Sequence, residues 1–93
     1  MSAHTLAEDQ AQAQLITYIR EKFLAGDPNG ELTEDTPLLE FGVLDSLKVA
    51  ILLNFIRDEM ATNIPMTQIS GVNFKNVRRI AALVCSLSDK ADS

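Results

Sequence analysis

The chain has 93 residues, 46% hydrophobic and 5% aromatic with no Trp, which fits one small domain with a thin, mostly aliphatic core. Its formal net charge of −5 and pI near 4.6 exclude the basic surface that a nucleic-acid binder needs. No run of about 18 apolar residues is present to span a membrane. Met1-Ser2-Ala3-His4-Thr5 lacks the basic segment and apolar stretch of a signal peptide, so a cytoplasmic protein is expected.

Residues 1–7 read as a polar tail. Leu6, Leu15, Ile16, Ile19, Phe23 and Leu24 then recur at three- and four-residue spacings and predict a first helix over about 7–25. Gly26-Asp27-Pro28-Asn29-Gly30 ends it. A long connection follows to about residue 44, of a length often functional. Within it, Asp35-Thr36-Pro37 reads as a cap and first turn, with Leu38, Leu39 and Phe41 packing a short turn that Gly42 ends. A second helix is expected over about 46–61, with Val49, Leu52, Leu53, Ile56 and Met60 on its core side. Leu47, Ala50, Ile51 and Asn54 fall on the opposite side, which is apolar near its start. Thr62-Asn63-Ile64-Pro65 breaks the helix, and Met66-Thr67-Gln68-Ile69 reads as a short turn. Asn73 is a candidate cap for a last helix over about 74–88, with Phe74, Val77, Ile80, Ala81, Val84 and Leu87 apolar. The tail to Ser93 reads as mobile. No strand-period segment or repeat is visible, so the expected fold is all-α: three main helices, one or two short turns and a long loop between helices one and two.

The centre of the chain is Gly42-Val43-Leu44-Asp45-Ser46-Leu47-Lys48. Asp45 and Ser46 are both good helix N-caps, so Ser46 is expected at or beside a helix start with its hydroxyl near solvent. Free N–H groups and the partial positive charge of a helix N-terminus suit a phosphate there. Taken alone, the pair also fits a helix that is merely capped. Hydrolase chemistry on Ser46 lacks a base: His4, the only histidine, lies in the tail, and no Ser-His-Asp triad forms unless that tail folds back. Cys85, the single cysteine, reads as a small buried hydrophobe and excludes an internal disulfide or multi-cysteine metal site.

The order of helix, long loop, Leu-Leu-Glu-Phe-Gly-Val-Leu-Asp-Ser-Leu at 38–47, second helix, and Asn73-Phe74 before the last helix resembles the acyl and peptidyl carrier proteins. The resemblance covers roughly residues 8–88 of what is expected to be a single carrier domain, 1–93. It implies that Ser46, flanked by Asp45, carries 4'-phosphopantetheine through a phosphodiester, and that a terminal thiol holds an acyl or aminoacyl group as a thioester. It implies no catalytic residue and no metal, because the cofactor holds the reactive atom. The implied partners are a phosphopantetheinyl transferase, an adenylate-forming ligase or acyltransferase, and a downstream transferase or synthase. They would meet a monomer at Leu44, Leu47, Lys48, Ala50, Ile51 and Asn54.

Fatty-acid carriers usually place acids after the serine-leucine pair, where this chain has Lys48, Ala50, Ile51 and Asn54. The pattern is more similar to stand-alone aminoacyl and peptidyl carriers of nonribosomal peptide and hybrid polyketide pathways. A specialised-metabolite, antibiotic-type role is therefore expected. Fatty-acid carriers, D-alanyl carriers and a non-carrier helical interaction module are the alternatives.

Overall fold

The computed structural model describes residues 8–27, 30 and 32–91, with side chains described as far as residue 87. These residues form three α-helices, α1 (Glu8–Phe23), α2 (Ser46–Glu59) and α3 (Val77–Ala91), and a 3-10 turn at Met66–Gln68, with no strand among them. The expected all-α bundle is the observed architecture. Leu6, His4, Pro28, Asn29 and Glu31, and with them the expected tail 1–7, lie outside the described residues.

In α1, Ala11, Leu15 and Ile19 recur every fourth residue, so they share one face and are fully buried. Glu8 and Asp9 in the first turn and Arg20 and Lys22 in the last both suit the helix dipole. The helix stops two residues short of the expected end. Ala25 and Gly26 take positive φ, and the Gly26 N–H donates back to the Arg20 carbonyl (2.8 Å), closing the last turn. Among the described residues, α1 and α3 share the most extensive helix–helix contact.

The connection between α1 and α2 is tied down at several points. It contributes Leu32, Leu38, Val43 and Leu44 to the core. The Leu38 N–H donates to the Lys75 carbonyl (2.8 Å) and the Arg78 N–H to the Glu34 carbonyl (2.9 Å), which fastens the loop to the start of α3. Asp35 does not cap the following turn. Its carboxylate instead accepts from Arg78 at Nε (2.8 Å) and Nη2 (3.1 Å). The turn at 38–42 forms, with the Phe41 N–H donating to the Pro37 carbonyl (3.0 Å), and Gly42 ends it at φ +73°, a conformation that favours glycine. Of its apolar residues only Leu38 is buried; Phe41 is 70% exposed.

α2 buries Leu52 and Ile56, with Val49 and Leu53 half-buried at the margin; it ends at Glu59, and the buried Met60 follows as its C-cap. Phe55, which periodicity did not assign, stacks on Tyr18 of α1 with ring centroids 4.0 Å apart. α3 starts three residues later than expected and is not capped by Asn73. The Asn73 N–H donates to Ser70 Oγ (3.2 Å) and its Nδ2 to the Gln68 carbonyl (2.8 Å), and Phe74 turns back on Ser70. The cap is Asn76, whose Oδ1 accepts from the Arg79 N–H (2.8 Å). Phe74, Val77, Ile80, Ala81 and Val84 are buried as expected, with Leu87 half-buried. Cys85 is buried at 8% exposure. The helix continues to Ala91, into what reads as tail from sequence.

Candidate functional site

Asp45 has an extended backbone (φ −142°, ψ −174°), and its Oδ1 accepts from the Lys48 N–H at 2.9 Å. Its carbonyl takes the first helical bond, from the Val49 N–H (2.8 Å). Asp45 is therefore the cap. Ser46 is the first residue of α2, exposed, with its hydroxyl not committed to capping. The Ser46 and Leu47 amides make no hydrogen bond among the described residues, as is usual in a first helical turn. A phosphate esterified to that hydroxyl would meet two free N–H groups and the positive end of the helix dipole. The Asp45 carboxylate next to it opposes this charge, but it is exposed and bonded to the Lys48 amide.

A groove of about 590 Å³ adjoins this point, with Asp45 and Ser46 in its wall. Leu39, Val49, Ala50, Leu53, Ile69 and Phe74 make it apolar. Three elements meet here: the turn before α2, the first half of α2, and the connection to α3. Sequence reasoning missed the contribution of Ile69, Ser70 and Gly71, which no periodicity marks. The one signal for it was the Asn73-Phe74 pair.

On α2, Leu47 is 70% exposed, and Ala50 and Asn54 are also exposed, as expected of the face away from the core. Ile51 is half-buried, without packing on the core. Lys48 is half-buried and leans toward α1, its Nζ 5.9 Å over the Phe23 ring. Leu44 requires a correction. Expected among the partner contacts, it is 2% exposed and part of the core, its N–H donating to the Leu38 carbonyl (3.1 Å). The turn ended by Gly42 rotates it inward, so it has no surface to offer.

The family model described as phosphopantetheine attachment site matches residues 13–84, a span that encloses Ser46, the groove beside it, all of α2, most of α1 and about half of α3. The chain belongs to the phosphopantetheine carrier family. It is 37% identical over 73 residues to the probable acyl carrier protein PigG of Serratia sp., an alignment covering 78% of this chain and 83% of PigG. It also resembles a chain in a solved structure described as "Crystal structure of FAD-dependent dehydrogenase", with TM-score 0.72 and 38% identity, covering 77% of this chain and 100% of that one.

A carrier of this family takes a 4'-phosphopantetheine prosthetic group and is not itself a catalyst. It works with a phosphopantetheinyl transferase and with synthase or ligase partners. No group of His, Cys, Asp and Glu among the described residues can hold a metal ion. No described helix is long and apolar enough to cross a membrane.

Proposed function

We propose that this chain is a carrier domain, monomeric and cytoplasmic, that holds an amino acid or related acid on a phosphopantetheine arm at Ser46 for specialised-metabolite biosynthesis. The observation that carries the reading is the position of Ser46: an exposed hydroxyl on the first residue of α2, beside free amides, within the family match. The arm supplies a thiol that binds cargo as a thioester. The protein's own residues do the rest. Asp45 fixes the helix start, so the hydroxyl is held outward, and the two amides of the first turn complement the phosphate.

Amino-acid cargo is supported by the residues after Ser46. Lys48, Ala50, Ile51 and Asn54 put no acid where fatty-acid carriers have one. An adenylate-forming ligase is accordingly the loading enzyme. The likeness to a chain in a flavoenzyme structure supports a flavin-dependent dehydrogenase among the downstream partners, acting on the tethered group. Leu47, Ala50 and Asn54, with the half-buried Ile51 and Lys48, form the face those enzymes meet.

The test is the intact mass of the protein after coexpression with its neighbouring biosynthetic enzymes. An aminoacyl increment on the arm, or a dehydrogenated form of it, is expected. Efficient acylation only by a malonyl transferase would replace this reading with a polyketide or fatty-acid role.

A further inference from the structure

A second groove, of about 520 Å³, lies between α1 and α2. Phe55 and Glu59, which α2 contributes to it, follow Ser46 by nine and thirteen residues, or about 14–20 Å along the axis. At about 100° per residue, Phe55 is on the opposite side of α2 from Ser46. This groove is thus separate from the one beside the serine.

The stacked pair of Tyr18 and Phe55, inclined by 17°, lines it. Ala13 and Thr17 are small, exposed wall residues. Glu21 and Glu59 also line it, both exposed and neither in an ion pair among the described residues. No Lys or Arg lines it; the nearby Lys48 is on the neighbouring Phe23 ring.

Aromatic side chains, two carboxylates outside any ion pair among the described residues and short apolar walls together fit a cation with an apolar stem. A guanidinium is weakly hydrated, packs well against apolar and aromatic side chains and has donors enough for two carboxylates, whereas an ammonium is compact and strongly hydrated. The methylene stem of arginine would lie along Ala13 and Thr17. A second copy of this chain is disfavoured as occupant, since two molecules of net charge −5 would bring like-charged rims together. We propose that the groove receives an arginine side chain of a partner protein, a docking point additional to the face around Ser46. An enzyme holding this flank leaves the N-terminus of α2 uncovered.

Isotopically labelled holo-protein should be titrated with a capped Leu-Arg-Leu peptide and with its neutral citrulline counterpart, following amide shifts. Saturating shifts centred on Ala13, Thr17, Tyr18 and Phe55 are expected with arginine and not with citrulline. The Glu21→Gln/Glu59→Gln double variant should weaken binding by about fivefold, the scale of an exposed ion pair. Thr17→Arg, which fills the groove from within, should abolish it, and this arm stands even if the double variant folds poorly. No saturable shift at these positions, equal binding of citrulline, binding unchanged in either variant, or shifts centred on Leu47 would each overturn the proposal.

Discussion

Asp45 and Ser46 sit side by side and divide the work. The carboxylate of Asp45 caps α2 through the Lys48 amide, whereas Ser46 is the next residue and its hydroxyl is exposed. Sequence alone does not separate them, because either side chain can cap; only the extended backbone at Asp45 decides it. Asp45→Ala should therefore cost about 0.5–2 kcal/mol in urea denaturation, the usual range for a lost cap. Ser46→Ala should cost well under about 0.5 kcal/mol, since it removes no cap and leaves a good helix former. Equal losses for the two variants would show that Ser46 shares the capping. Leu44 illustrates the opposite case. Its neighbours in sequence are site residues, but a turn ended by a positive-φ glycine sends it into the core.

At the scale of the elements, α2 carries the site and the other two helices hold it. Leu52 and Ile56 on one side of α2, and Met60 at its C-cap, were legible because they obey helical spacing. The opposite side was legible for Leu47, Ala50 and Asn54. Residues that depend on tertiary contact were not legible: the Tyr18–Phe55 stack, and Ile69, Ser70 and Gly71 beside Ser46. The expected start of α3 after Asn73 lies three residues early, since Asn73 and Asn76 are both sound caps by residue type and it is the Asn76 Oδ1 that accepts from the Arg79 amide. Leu47 tests the role of the exposed face. Burying a leucine is worth roughly 1.5–3 kcal/mol, more than an exposed ion pair. Leu47→Asp should leave helical circular dichroism unchanged and lower kcat/KM for loading of the holo-protein by about 10–100-fold. Normal loading would place recognition elsewhere.

For the whole molecule, the long loop is joined to α3 by backbone bonds at Leu38 and Arg78 and by the Arg78–Asp35 pair. Hydrogen bonding from Arg78 holds the Asp35 carboxyl below its ordinary range. A value lowered by folding gives stability that is present above the unfolded-state value and is lost as pH falls through the folded one. Asp35→Asn should thus destabilise slightly at neutral pH, and the gap from wild type should close as the pH drops through and below the usual carboxylate range. The pair is exposed, so added salt should narrow the gap too. A gap independent of pH would mean that Asp35 acts through its backbone turn and not its charge. All of this scaffolding holds one serine at one helix start, and its chemistry is directly measurable. Wild type and Ser46→Ala, purified in the apo form, should be incubated with coenzyme A and a promiscuous phosphopantetheinyl transferase and weighed intact. The wild type should gain one phosphopantetheinyl group and the variant none, with both equally helical. A gain that persists in Ser46→Ala, or a well-folded wild type that gains nothing, would contradict the assignment of Ser46.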